Sequence, residues 1–178
     1  MAQNALLTIS IGVRNYRYIQ YFGIAHKRIG LIFFLILTLI GLYLVYIKVA
    51  KVKTYKFIER KFSFNVYIAL IVLSLLNWDN FIAKYNMSHY ETAILDLNFM
   101  KKLNNHALPF LSISENERNL ILECQLKLLG NDEQFTLQFD EYIKSIDDRS
   151  KRFLERYPEK NWLAWNWTDA DAFQLLSE

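Results

Sequence analysis

The sequence contains little cysteine, proline or glycine: one, two and five of each, respectively, in 178 residues. With Cys124 alone, no intrachain disulfide can form and no metal site can be built from cysteines. The few glycines form no phosphate-binding loop, and no nucleophile-elbow motif is present. The amino-terminal residues also lack the basic start and clean apolar stretch of a signal peptide. We therefore predict no catalytic residue, no metal site and no cofactor.

Charge is divided unevenly along the chain. Residues 1–82 contain ten Lys or Arg and two acids, a net charge of +8, whereas residues 83–178 contain eleven and sixteen, a net charge of −5. The basic excess flanks apolar runs, and no basic-aromatic strand or zinc-finger pattern accompanies it. The sequence therefore predicts no nucleic-acid partner and indicates a lipid bilayer instead.

Two apolar runs predict a transmembrane hairpin within residues 29–82. The run 29–47 has no charge and no proline, and as a helix it would extend about 28 Å, which matches the hydrocarbon thickness of a bilayer. The run 62–78 is shorter and ends before Asp79. We predict both as spans joined by a basic loop, 48–61.

The basic loop 48–61 also predicts an orientation. It contains six Lys or Arg and one acid, Glu59, so the positive-inside rule places it in the cytoplasm. The residues after the second span are then extracytoplasmic. The expected location is the inner membrane of a bacterium, as a multi-pass protein.

Residues 1–28 allow two interpretations. The apolar stretch 5–13 is too short to span a bilayer, and Arg14, Arg17 and several tyrosines follow it. It is either an interfacial helix, with the tyrosines at headgroup depth, or the end of a preceding span.

Residues 83–178 predict an amphipathic, all-α extramembrane domain. We predict a helix over 91–105, and a second that begins at a capping box of Ser114 and Glu117 and ends at Gly130. Ile121, Cys124 and Leu128 are predicted to form the apolar stripe of that second helix. The next helix is predicted from five apolar residues at helical spacing: Phe135, Phe139, Tyr142, Ile143 and Ile146. A cap at Thr168 predicts a short last helix.

The candidate functional motif lies where the second apolar run ends. It comprises Asn77, Trp78, Asp79, Lys84 and Asn86. An acid at the end of a span can bind a cation or relay protons. The alternative is architectural, with Asp79 capping a helix or pairing with Lys84, and we favour it because a charge at interface depth costs little.

Other chemically active side chains are scattered. His26, His89 and His106 have no obvious carboxylate partner at ligand spacing, so we expect solvated or capping roles. Cys124 is expected to be a small core residue. Three tryptophans near the end could stack a ligand or dip into a membrane, but we favour a structural role in closing the core: Trp162, Trp165 and Trp167.

The segment LNWDNFIAKYN, at 76–86, resembles the carboxy-terminal region of a family of bacterial polytopic membrane proteins with a domain of unknown function. Family members show Leu-Asn-x-Asp-x-x-Ile-Ala-x-x-Asn after their last span, and this chain matches at six positions: Leu76, Asn77, Asp79, Ile82, Ala83 and Asn86. The family's Asp-Ala-x-Pro turn corresponds to 106–109, with His106 in place of the acid. The resemblance implies that the chain is the carboxy-terminal portion of a longer polytopic protein, and it favours the interpretation of 5–13 as the end of a preceding span. It implies a topology and no mechanism.

Two functions of different classes remain from the sequence. The first is a membrane-anchored structural or interaction module that contacts further transmembrane helices of the same or a partner protein. The second is a transport or sensing component that uses the polar residues after the second apolar run. Replacement of Asp79 by Asn distinguishes them.

Overall fold

The computed structural model describes residues 2–130, 133–158 and 166–177, and these contain α- and 3-10 helices and no strand. The prediction of an all-α fold is confirmed. Nine α-helices occur in the described ranges: α1 Ala2–Phe22, α2 His26–Ala50, α3 Tyr55–Leu75, α4 Trp78–Ser88, α5 Leu97–Met100, α6 Leu108–Leu111, α7 Glu115–Leu129, α8 Glu133–Arg156 and α9 Trp167–Ser177. A 3-10 helix, Asn105–Ala107, precedes α6.

The chain divides into two compact units. The first contains the residues up to Ile19 together with Ala25–Leu76, and therefore most of α1 and all of α2 and α3. The second contains Gln20–Ile24 and the described residues of 77–178. The short connection between α1 and α2 thus belongs with the carboxy-terminal helices, which the sequence did not indicate.

In the first unit, α2 packs against α3, and α1 contacts α2. A methyl group added at Gly41 of α2 would lie 3.3 Å from the ring of Phe62 in α3, so the two helices approach closely there. The Asn15 amide of α1 donates to the Arg28 carbonyl at 3.5 Å, and the Arg28 guanidinium lies 4.4 Å from the centre of the Tyr18 ring. Most apolar side chains of α3 remain exposed within the chain.

Within the described residues, one helix is long and apolar enough to cross a membrane: α2, which contains the predicted span 29–47. The number rises to two only when α3 and α4 are counted together as one broken span. α3 does not qualify alone because it begins with the charged residues of the predicted loop. The hairpin of two independent spans, 29–47 and 62–78, is therefore not established.

The basic segment 48–61 is largely helical rather than a loop. α2 continues to Ala50 and α3 starts at Tyr55, so four residues separate the two helices. Lys, Arg and Glu are good helix formers, and the segment has no proline or glycine to end a helix.

In the second unit, the core lies between α4, α6, α8 and α9. Ile82 and Ala83 of α4 and Leu108 and Leu111 of α6 are fully buried. Four of the five residues predicted for the apolar face of α8 are also buried: Phe135, Phe139, Tyr142 and Ile146. The fifth, Ile143, is only half-buried. The Tyr142 hydroxyl donates to the Leu111 carbonyl at 3.0 Å, and burial raises the pKa of this phenol.

The predicted helix over 91–105 is wrong. Only Leu97–Met100 is α-helical there, because Asp96 accepts from the Phe99 amide and starts a new helix. The preceding backbone is held in an irregular path by the Gln125 side chain, described below. Tertiary hydrogen bonds thus override the apolar spacing on which the prediction rested.

The ends of α7 and α9 test the predicted caps. Ser114 is the N-cap of α7, but its side chain accepts from no backbone amide of this helix, so the predicted capping box is not formed. The Ser114 hydroxyl instead donates to the Glu117 carboxylate at 2.8 Å. Gly130 ends α7 in the left-handed conformation, as predicted. At α9 the capping side chain is Asn166, which accepts from the backbone amide of Thr168, so the predicted cap at Thr168 is wrong by two residues.

Candidate functional site

Helix α4 presents the candidate motif, and its first residues form an amino-terminal cap. The Asn77 side chain accepts from the Asn80 amide at 3.5 Å, and Asp79 lies in the first helical turn. An asparagine at the N-cap accepts a hydrogen bond from a helix amide that would otherwise lack a partner. An acid in the first turn interacts favourably with the positive end of the helix dipole. Trp78 contacts the edge of Phe81, with ring centres 6.2 Å apart.

At the other end of α4, the Asn86 side chain holds the backbone of Ile24. The Asn86 carboxamide oxygen accepts from the Ile24 amide at 2.7 Å, and its nitrogen donates to the Ile24 carbonyl at 2.9 Å. Asn86 is only 5% exposed. We call this pair of hydrogen bonds the Asn86 clamp. It gives the connection between α1 and α2 the pairing that a neighbouring strand would otherwise supply.

The connection is shaped to fit this clamp. Gly23 has a φ of +69°, a conformation that side chains disfavour, and a Cβ there would lie 2.5 Å from the Asn86 carboxamide oxygen. Two residues before Gly23, the Tyr21 carbonyl accepts from the Ile94 amide at 2.8 Å. Gly23 is therefore required for both its backbone conformation and the close approach of Asn86.

Asp79 and Lys84 contact different neighbours. The Asp79 carboxylate accepts from the Asn104 amide at 3.3 Å, just before the 3-10 helix. The Lys84 ammonium lies 6.0 Å from the centre of the Phe110 ring. The predicted pairing of Asp79 with Lys84 is therefore replaced by two separate contacts with the second unit's own core elements.

Two buried polar atoms near the start of α4 have no hydrogen-bond partner among the described residues. They are the amide nitrogen of Asn77 and the amide oxygen of Asn80. Such atoms cost free energy unless a water or another group satisfies them. The hydrogen bonds within and around the motif therefore leave these two atoms, of Asn77 and its neighbour Asn80, unsatisfied.

Residues 1–112, about two thirds of the chain, match the family model described as a domain of unknown function, DUF4153. The chain belongs to the DUF4153 family. Both halves of the Asn86 clamp lie inside the matched residues. No curated protein and no solved structure matches the chain.

Sequence reasoning missed a second backbone clamp in this DUF4153 chain, made by Gln125 of α7. The Gln125 side chain is fully buried, and its oxygen accepts from the Leu95 amide at 2.9 Å. Its nitrogen donates to the carbonyls of Tyr90, at 2.6 Å, and Ala93, at 2.9 Å. The sequence signal that could have identified Gln125 is its position four residues after Ile121, which places both side chains on the same, buried face of α7. The predicted stripe through Cys124 and Leu128 is wrong, because Leu128 is 41% exposed.

A third side chain, Arg149 of α8, holds the segment after α5. Its guanidinium donates to the carbonyls of Lys101, at 2.5 Å, and Leu103, at 2.9 Å. It also donates to the Asn105 side-chain oxygen at 2.8 Å. Arg149 lies three residues after Ile146 on the apolar face of α8, and an arginine on such a face signals a buried polar partner.

His106 does have a carboxylate partner, contrary to the sequence-based expectation. Its Nδ1 lies 2.6 Å from the Asp169 carboxylate, and both side chains are largely buried. The Thr168 hydroxyl lies 3.3 Å from the same nitrogen. This cluster ties the 3-10 helix to α9. It was missed because nothing in the local sequence relates residues so far apart.

The remaining candidates have local roles or fall outside the described ranges. His89 is the C-cap of α4, and its ring stacks on Tyr85 with centres 4.1 Å apart. Of the three tryptophans, Trp162 and Trp165 lie outside the described residues, and Trp167 begins α9 with an exposed side chain. The described residues contain no cluster of three or more His, Cys, Asp and Glu suited to a metal ion.

Proposed function

We propose that this DUF4153 chain is an integral membrane protein and acts as a structural or interaction module. The observation that carries the proposal is the Asn86 clamp. The most buried polar side chain of the motif is fully used in holding the α1–α2 connection to the second unit. Asp79 likewise bonds a backbone amide. Asn86 and Asp79 thus both bind the chain's own backbone, which supports an architectural role for the motif.

Membrane insertion is the second element of the proposal. α2 supplies an apolar helix of sufficient length, and α3 exposes many apolar side chains within the chain. We propose that lipid and further transmembrane helices, of the same or a partner protein, cover those side chains. The test is alkaline extraction of membranes from cells that express the chain. Retention in the pellet supports insertion, and release into the supernatant contradicts it.

We also propose an orientation in the bacterial inner membrane, with 48–61 cytoplasmic and the second unit extracytoplasmic. The six basic residues of 48–61 support it. In a Cys124→Ser background, cysteines at the exposed positions Lys53 and Lys151 report the two sides through an impermeant thiol reagent. Labelling of position 151 alone in intact cells is expected. Labelling of position 53 alone overturns the orientation.

The family resemblance further supports the proposal that the chain is the carboxy-terminal portion of a longer polytopic protein. Reading the gene upstream of the Met1 codon tests it directly. A continuous open frame that encodes additional apolar segments supports the proposal, and an in-frame stop codon immediately upstream contradicts it.

One observation favours a transport or sensing role as the alternative: the unpartnered buried atoms of Asn77 and Asn80 beside Asp79. In that case Asp79 would bind or relay a cation. Proteoliposomes with an imposed proton or sodium gradient distinguish the two functions. If Asp79→Asn abolishes a flux that the parent chain shows, the alternative is correct. If neither chain conducts and both fold alike, the structural module is supported.

A further inference from the structure

A cavity of about 490 Å³ lies beside the carboxy-terminal half of α8, within the second unit. We call it the arginine pocket. Its lining residues are Asn105, Arg149, Arg152, Phe153, Arg156 and Tyr157. The three arginines lie on one face of the helix because their spacings of three and four residues match the helical repeat. Its volume lies within the range of small-molecule sites in proteins.

The guanidinium groups of the pocket have no acidic partner among the described residues. Arg149 donates only to carbonyl and amide oxygens, and Arg152 donates to the Asp148 carbonyl of its own helix. Arg156 forms no ion pair with any described residue, and its side chain is exposed. Burial, followed by the nearby charge of Arg152, lowers the pKa of Arg149. The pocket therefore concentrates positive charge that the described residues do not neutralise.

The remaining hydrogen-bonding capacity of the pocket is almost entirely that of donors. The Asn105 side-chain oxygen already accepts from Arg149, and its amide nitrogen can donate to a ligand. Arginine side chains have only donors. Tyr157 is the one lining side chain with a hydroxyl, and its ring stacks on Phe173 with centres 4.6 Å apart. A wall of donors favours a ligand rich in acceptor oxygens.

We propose that the arginine pocket binds a phosphate group carried by an organic molecule. A guanidinium pairs with phosphate through two parallel hydrogen bonds, which the terminal nitrogens of Arg152 and Arg156 can donate. Arg149 adds its positive charge beside them, because its own terminal nitrogens already donate to Lys101, Leu103 and Asn105. The cavity exceeds the size of inorganic phosphate, which leaves room for an organic substituent. The phosphate belongs either to a soluble ester or to the headgroup of an anionic lipid. Neither source depends on the proposed structural function.

The test is calorimetric titration of the whole chain in neutral detergent with glycerol 3-phosphate, and a parallel comparison of nanodiscs with and without phosphatidic acid. The variant Arg152→Gln/Arg156→Gln removes two charges whose side chains hold no other element in place. We expect binding by the parent and affinity about tenfold lower in the variant. Binding of the soluble ester identifies that source. If the chain is stabilised in nanodiscs that contain phosphatidic acid and does not bind glycerol 3-phosphate, the lipid headgroup is the source.

The matched control is Lys144→Gln/Lys151→Gln, which removes the same charge from exposed positions of α8 that line a different cavity. It is expected to bind as the parent does. Equal loss of binding in both double variants would show that net charge alone matters, and would overturn the proposal. The absence of binding by the parent to either phosphate source would also overturn it. The single change Arg156→Gln, at an exposed side chain, replaces the double variant if the latter does not fold.

Discussion

Replacement of Asn86 by Ala is expected to destabilise the second unit by about 3 kcal/mol. The substitution removes two hydrogen bonds, of 2.7 and 2.9 Å, and leaves both the amide and the carbonyl of Ile24 without partners. An orphaned buried backbone group costs roughly 1–3 kcal/mol. Two such groups give about 2–6 kcal/mol, and water entering the vacated space brings the value toward the lower half.

The assay is urea denaturation of the whole chain in mild detergent, followed by tryptophan fluorescence. All four tryptophans lie after residue 77, so their emission reports the second unit. Asn80→Ala is the matched control, because it removes the same group from the same helix at a side chain whose oxygen has no hydrogen-bond partner among the described residues. Because the Asn80 oxygen loses no hydrogen bond, the free energy of unfolding is expected to fall by much less than in Asn86→Ala, or to rise slightly as a buried atom without a partner is removed.

Two further variants separate the clamp from simple loss of packing. Asn86→Asp keeps the shape but sets a carboxylate oxygen against the Ile24 carbonyl, so it should destabilise at least as much as Ala. Gly23→Ala creates a contact of 2.5 Å with the Asn86 oxygen. That contact is absent once Asn86 is Ala, which leaves about 1 kcal/mol for the backbone conformation. Additive effects of Gly23→Ala and Asn86→Ala, or an Asn86→Asp variant as stable as the parent, would refute this reasoning.

Three other predictions follow from the second unit. Gln125→Leu keeps the side-chain volume but orphans three backbone groups, so its unfolding free energy should fall by about 3 kcal/mol in the same assay. His106→Ala and Asp169→Ala should show a coupling of about 1 kcal/mol in a double-mutant cycle, and additive losses would contradict the contact. Burial raises the pKa of Tyr142 above 10.0, so the stability it contributes is complete below pH 10 and is lost as the pH rises further. Tyr142→Phe should lose about 1 kcal/mol at neutral pH and show a shallower alkaline decline.

The sequence predicted the features that depend on local pattern. The apolar length of α2, the buried face of α8 and the glycine end of α7 all follow from spacing and capping rules. Each depends on residues within a few turns of one another. The resemblance at 76–86 also predicted a family with a domain of unknown function, and the match over 1–112 shows such a family.

The clamps could not be predicted because they join residues distant in sequence through the backbone. Asn86 was singled out from the family motif, but its partner, Ile24, lies 62 residues away and uses only its amide and carbonyl. Backbone partners leave no mark on the identity of a residue. Gly23 was the one local sign in the sequence of an unusual backbone at this connection, because a φ of +69° favours glycine. The irregular path before α5 was missed for the same reason.

The most direct measurement of the architectural account is hydrogen–deuterium exchange at the Ile24 amide in the parent chain and in Asn86→Ala. We expect slow exchange in the parent, because this amide donates to a buried side chain, and rapid exchange in the variant. Protection of residues in α8 should persist in both. Rapid exchange at Ile24 in the folded parent would contradict the account, because the motif would then not hold the connection between α1 and α2.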